Sequence, residues 1–433
     1  MSDSPILVAG GGIAGLATAL CLRARGVPCT VLESAREIVP LGVGINLLPH
    51  GVRVLAELGL ADALAQVGVE TRAVEYRTRD GRLIHADPRG LAAGLPFPQY
   101  SVHRGNLHTV LYRALLERHG DDAVRAGARL LDFAADGDRV RVRVEDRRRG
   151  GEFELAAAAL IGADGILSAV RARLRPGEGP PRGSGVVLYR GLTWARPMRD
   201  GRTMVVAGVH GHKAVLYPVR APRPRDGLQL VNWVAEQAEQ AEQPEQGGAA
   251  PAGGDWNAPV DRERVATLFA DFRFDFADVP ALIRGSEVCL AYPMVDRDPI
   301  DAWVAGRVAL VGDAAHPMYP TGDNGSSQAI LDAEAIAECI AGQPDDLPGA
   351  LRTYQARRLA KANAVVLANR ERGPERLLQL ADERIAAGGP AGDEPLLAGD
   401  EIDAVTLGYR RTAGFERDDL RAMAGRPLLW PRG

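Results

Sequence analysis

The chain has 433 residues, 46% hydrophobic and 25% charged, more than one ordinary core of roughly 100–200 residues holds, so two packed domains are expected. Its 52 basic and 56 acidic residues leave a net charge of −4, which gives no electrostatic footprint for nucleic acid or an anionic membrane. Four cysteines, Cys21, Cys29, Cys289 and Cys339, form no CxxC or zinc-type spacing; no metal site is expected, and a reducing, cytoplasmic setting fits.

The chain enters an apolar run at once, Pro5-Ile6-Leu7-Val8-Ala9, with no basic segment before it, and holds no stretch of 18 apolar residues. Neither a secretory signal nor a transmembrane helix is expected. Ile6 to Ala9 reads as a strand buried on both faces. Ile13 to Arg25 has apolar residues at helical spacing, closed by Gly26, and Cys29 to Leu32 is a second buried strand; together they form a βαβ unit. Helical patterning returns at 50–66 and 105–119. Residues 137–161 alternate as strands, most sharply from Arg139 to Val144. Val186–Trp194, Val205–Val219 and Leu228–Val234 point to an antiparallel sheet. Residues 235–255, rich in Ala, Gln, Glu, Gly and Pro, read as a flexible surface loop. Val308 to Val311 is again a buried strand, followed by helices over 326–341 and 348–372. The tail beyond Gly373 reads as loop-rich, with a short helix at 376–386.

The predicted fold class is α/β: a Rossmann-type nucleotide-binding domain with an inserted antiparallel-sheet substrate domain and C-terminal helices. The nucleotide domain is expected at 1–180 and 285–373, the sheet domain at 181–284 and a tail at 374–433.

Three motifs carry chemistry. Gly10-Gly11-Gly12-Ile13-Ala14-Gly15 is a G-x-G-x-x-G between a strand and a helix, with Glu33 ending the next strand. Gly10 permits the tight turn, Gly12 lets backbone approach a pyrophosphate, and Gly15 lets helix and strand pack closely. The pyrophosphate sits on the helix N-terminus, where free N–H groups and the dipole favour an anion, and Glu33 accepts from ribose hydroxyls. The second motif, Gly162-Ala163-Asp164-Gly165, also follows an apolar run; alone it is an ordinary turn. The third runs from Gly312-Asp313 to Pro320-Thr321-Gly322-Asp323-Asn324-Gly325, between a buried strand and a helix. Asp313 can take a ribityl hydroxyl, and the Gly322–Gly325 turn can offer N–H groups to negative charge.

These motifs, in this order, resemble those of the flavoprotein aromatic hydroxylases of the para-hydroxybenzoate and salicylate hydroxylase type. That resemblance implies bound FAD, reduced by transient NADH or NADPH, and hydroxylation of an electron-rich ring by O₂ through a C4a-hydroperoxyflavin. Ser101 to Leu107 looks like the family's arginine segment, placing Arg104 at the flavin ribityl or phosphate, and Leu130 falls where a backbone contact to adenine is expected. The implied cofactor set is Gly10, Gly12, Ile13, Ala14, Gly15, Glu33, Ser34, Val43, Arg104, Leu130, Asp164, Asp313, Pro320, Gly322, Asp323, Asn324 and Gly325. PLGVGINLLPHGVRVLAELGL at 40–60, PQYSVHRGNL at 98–107, YPMVDRDPI at 292–300, MYPTGDNGSSQAILD at 318–332 and LANRER at 367–372 resemble the 5-methylphenazine-1-carboxylate 1-monooxygenase subfamily. Two departures, Tyr189 in place of an expected Trp, and His50, are candidates for the pocket wall.

The candidate catalytic residues are His316, for proton transfer or the flavin environment, and Tyr189, Arg190 and Tyr217, on strands expected to roof the substrate. Asp296 and Arg297 are expected to pair as a strut. The expected partners are a small aromatic substrate and O₂, in a monomer or homodimer. A halogenase should carry W-x-W-x-I-P, which is absent from the sequence. A dehydrogenase leaves the second and third motifs unexplained. An N-oxygenase, oxidase or desaturase would share the flavin site, and a non-catalytic nucleotide-binding protein would show no substrate-stimulated NAD(P)H oxidation.

Overall fold

The computed structural model describes residues 4–40, 42–239, 258–390, 392 and 394–429. Ile6–Ala9 is a strand buried at every position. It lies inside a six-stranded sheet ordered Val304–Ala305, Val308–Leu310, Ala159–Gly162, Ile6–Ala9, Cys29–Glu33 and Val124–Ala126. All pairings are parallel except that of the first two strands. Sandwiching of this kind explains the continuous apolar runs, because helices cover a parallel sheet. The helices Ile13–Ala24 and Gly325–Gly342 pack against each other beside it. A three-stranded antiparallel sheet of Ala128–Asp136, Arg139–Asp146 and Glu152–Ala157 branches from this layer; Val140, Val142 and Val144 face the core and the intervening arginines face water.

The second large sheet has eight strands. Ala258–Pro259, Cys289–Asp296, Arg182–Ala195, Gln229–Ala238, His212–Pro218, Thr203–Val209, Ala73–Arg77 and Leu83–Pro88 follow one another across it. Three of these segments lie outside residues 181–284, and Thr203–Val209 pairs with Ala73–Arg77 in parallel, so the sheet is mixed rather than purely antiparallel. Helices Arg262–Leu268 and Val279–Arg284 pack on one face around Trp233, Phe269 and Phe272. The other face turns toward the six-stranded layer and the tail.

Several expectations are corrected. The helical stretch at 50–66 is two helices, Pro49–Glu57 and Ala61–Val67, broken at Gly59, whose φ of +73° is costly for other residues. Val205–Val219 is a hairpin turning at Gly211 (φ +79°). Of the loop expected at 235–255, residues 235–238 complete the strand Gln229–Ala238, and 240–257 lie outside the described residues. The short helix expected at 376–386 is there, as Arg376–Ala386, but the tail beyond it is helical rather than loop-rich, with Gly399–Ala413 and Arg417–Met423.

Candidate active site

Ligands of open α/β sheets bind beyond the carboxyl ends of the strands. Here three neighbouring parallel strands end in register, with Ala9 beside Gly162 and Gly162 beside Leu310. The three motifs are therefore the three adjacent turns leaving one sheet edge. A Cβ on Gly10 (φ +106°) would fall 2.4 Å from the Ala163 carbonyl oxygen, and one on Gly15 would fall 1.9 Å from that of Gly10. Gly12 is different: a Cβ there meets nothing within 4 Å.

The turns open into a cavity of ≈320 Å³. Of the expected residues, Gly12, Ile13, Ala14, Arg104, Arg190, Tyr217, Asp313, Pro320, Asp323, Asn324 and Gly325 line it together, joined by Asn46, Met318 and Tyr319. Two helices start at this space, Ile13–Ala24 at Gly12 and Gly325–Gly342 at Asn324, both without a side-chain N-cap hydrogen bond. Their first amides and dipoles favour negative charge in the cavity. Asp313 lines the cavity wall, where desolvation by the surrounding protein pushes its carboxyl above the usual range. Burial likewise raises Asp323, opposed by a hydrogen bond from Asn46 Nδ2 at 3.1 Å. Asp323 sits at φ +59°, a left-handed conformation that Asp tolerates better than most residues.

The remaining expected residues lie around this space. Glu33 accepts from the Gly11 amide at 2.7 Å and from the Ala35 amide at 2.6 Å, and Ser34 donates to it at 3.1 Å. The carboxylate thus braces the nucleotide turn at the end of its strand. The Val43 carbonyl accepts from the Arg104 amide at 2.9 Å, behind the cavity wall. Gly322 (φ +77°) packs against Tyr409. The Leu130 side chain is buried in the core, opposite Val144. Asp164 accepts from Ser168 and from the amides of Ala169 (2.8 Å) and Val170 (3.2 Å), so its carboxylate caps the helix Ala169–Leu174, while its neighbours Ala163 and Gly165 line the cavity.

Among the candidate catalytic residues, strand alternation separates Tyr189 from Arg190. Tyr189 packs with the Trp233 cluster on the far face, whereas Arg190 reaches the cavity. His316 is 2% exposed, bonded through Nε2 to Asp332 at 2.5 Å and set against Trp303. It does not line the cavity; its place is that of a packed structural histidine. His50 is also buried, stacked on Phe415 with centroids 5.4 Å apart, and stands behind the wall. Asp296 pairs with Arg370 at 2.6 Å rather than with Arg297, which donates to the Ile166 carbonyl.

Sequence reasoning missed the groups that fix the Gly312 turn. Asp332 accepts from the Gly312 amide (3.0 Å), His316 and Arg358 (2.8 Å); burial opposes its ionisation, but these partners, the Arg358 guanidinium among them, hold its carboxyl below the usual range. Arg171, 1% exposed, donates to the carbonyls of Ala314 (3.2 Å) and Ala315 (2.8 Å). The signal for both was a charged residue within an otherwise apolar helical face. Tyr409 comes from the tail: its hydroxyl accepts from Asn324 Nδ2 at 2.8 Å and donates to Asn369 Oδ1 at 2.7 Å.

These features fit FAD. The open space at Gly12 and the first helix would take the pyrophosphate, and the start of the Gly325 helix can face a ring that gains negative charge.

Comparison with known proteins agrees. The model of the FAD binding domain family matches residues 3–268 and 277–369. The phenazine 1,6-dicarboxylic acid hydroxylase PhzS of Lysobacter antibioticus is 43% identical over 86% of this chain and 90% of its own length. The 3-amino-4-hydroxybenzoate 2-monooxygenase of Streptomyces cremeus is 33% identical over 98% and 99%. Klebsiella pneumoniae HpxO, solved with FAD and uric acid, superposes with a TM-score of 0.69 at 25% identity, covering 100% of this chain and 98% of that one. The chain belongs to the FAD binding domain family of flavin-dependent aromatic hydroxylases.

Proposed function

We propose that the chain hydroxylates a planar aromatic carboxylate, of the phenazine or benzoate class, using FAD, NADH or NADPH, and O₂. The observation that carries the substrate class is Arg190. It faces the cofactor cavity from the eight-stranded sheet, its guanidinium lies 5.4 Å over the Tyr292 ring, and its Nε has no partner among the described residues. A planar, permanently charged fork in a sheltered cavity suits a carboxylate. The similarity to a phenazine dicarboxylate hydroxylase and an aminohydroxybenzoate monooxygenase supports the same class.

Bound FAD supplies the oxygen activation that amino-acid side chains lack. The chain's residues position and shield. Arg190 holds the acid group against the sheet. Tyr217, 4% exposed, is kept protonated by burial and offers its hydroxyl to a ring substituent. The Gly325 helix stabilises negative charge, and the roof of Tyr319 and Met318 limits water. Among the described residues no helix is long and apolar enough to cross a membrane; the four buried free cysteines support a cytoplasmic setting.

Arg190→Gln tests the assignment. The variant should keep its FAD, while KM for a phenazine or benzoate carboxylate rises at least about tenfold, the loss of a charge-assisted bond worth ~1.5–3 kcal/mol. An unchanged KM would remove Arg190 as the anchor.

A further inference from the structure

A second cavity, of ≈250 Å³, adjoins the cofactor cavity; Tyr319 stands in the wall of both. Its lining is polar. Arg372, at the turn after the helix Leu347–Arg370, lines it and makes no ion pair among the described residues. The residue is held at φ +74°, a left-handed conformation costing a non-glycine residue roughly 1 kcal/mol or more. The Ser184 hydroxyl, shielded from solvent on the same wall, has no hydrogen-bond partner among the described residues. Arg182 lies beside it, tied to Asp298 only by an exposed contact of 3.5 Å, a weak link in water. Arg370 is spent on Asp296 and Asp298, and the one lining carboxylate, Glu375, is taken up by Lys213.

The reductant needs such a place. The G-x-G-x-x-G turn of the six-stranded sheet is the flavin's, and no other G-x-G-x-x-G stands between a strand and a helix in the sequence. We propose that this second cavity docks the phosphate groups of NADH or NADPH, with Arg372 as the principal contact, Arg182 recruited from the surface and Ser184 Oγ as a hydrogen-bond donor. A bulky apolar ring is not what these groups recognise; an anion with several acceptor oxygens is. Tyr319 stands in the wall of both the docking cavity and the flavin cavity, on the side from which the nicotinamide end would approach. The inference rests on the flavoenzyme reading.

The test uses FAD-loaded enzyme and two variants, Arg372→Gln and Arg372→Gly. Glycine relieves the left-handed backbone, so a thermal midpoint at or above that of the parent shows that folding is intact. KM for NADH or NADPH should rise at least about tenfold in both variants, the loss of a charge-assisted contact. Calorimetric titration with ADP-ribose should show a matching loss of affinity. FAD content and KM for the aromatic substrate should stay unchanged. An unaltered reductant KM together with unaltered ADP-ribose binding would overturn the proposal, as would a shift confined to the aromatic substrate. Parent protein that takes up no FAD would instead overturn the flavoenzyme reading beneath it.

Discussion

A Cβ on Gly12 meets no heavy atom within 4 Å, whereas one on Gly15 falls 1.9 Å from the Gly10 carbonyl oxygen. The two glycines of one motif thus serve different ends, space for a ligand and close packing of helix on strand. Gly12→Ala should fold with unchanged circular dichroism yet lose FAD on gel filtration. Gly15→Ala should fail to accumulate as folded protein. If Gly12→Ala keeps its flavin at parent affinity, the pyrophosphate does not lie against that turn. His50 illustrates a second residue-scale effect. Burial, then the Arg358 and Arg53 cations, lower its pKa from 6.5 to about 3. The unfolded chain binds this proton below pH 6.5 and the folded one does not, so stability present above pH 6.5 is lost as pH falls toward 3. Between pH 6.5 and 5 the loss is about 2 kcal/mol, at ~1.36 kcal/mol per unit. Denaturant titration of His50→Phe should show that much less acid sensitivity than the parent; an equal sensitivity would mean the ring is protonated in the folded state.

At the scale of elements, the tail helix Gly399–Ala413 braces the Gly322–Asn324 turn that walls the cavity. Tyr409 closes over Gly322 and bonds to Asn324 and Asn369, while Phe415 stacks on His50. Tyr409→Phe leaves two buried amide groups short of a partner, costing ~1–3 kcal/mol. A lower thermal midpoint and earlier flavin release on heating are expected, followed by FAD fluorescence; release coincident with that of the parent would make the tail contact incidental. This element was legible and overlooked. Asp400 and Glu401 begin it, Arg410 and Arg411 end it, and Gly414 follows at φ +77°, all ordinary helix boundary signals. The βαβ unit was read readily because strand, glycine turn and helix are contiguous in sequence. The pairing of Thr203–Val209 with Ala73–Arg77 was not, because it joins segments over a hundred residues apart and local pattern carries no register between them. Arg190 was in hand, but its separation from Tyr189 needed the knowledge of which face of the sheet meets the flavin layer.

Across the whole molecule, the account is that of two sheets sharing one catalytic space. The parallel sheet supplies three adjacent turns for FAD, the mixed sheet supplies Arg190 and Tyr217 from the opposite side, and the tail seals the junction. This arrangement needs no protein nucleophile: binding, orientation and exclusion of water are what the side chains provide. It follows that reductant oxidation should be tied to occupancy of the space by the right ring. The most direct measurement follows NADH and NADPH consumption by the purified yellow protein under labelled O₂, with phenazine and benzoate carboxylates, and weighs the products by mass spectrometry. The account predicts about one FAD per chain, acceleration by an aromatic carboxylate and one labelled oxygen atom in the product. Protein that binds no FAD on reconstitution, or a turned-over acid that never gains labelled oxygen, would contradict it.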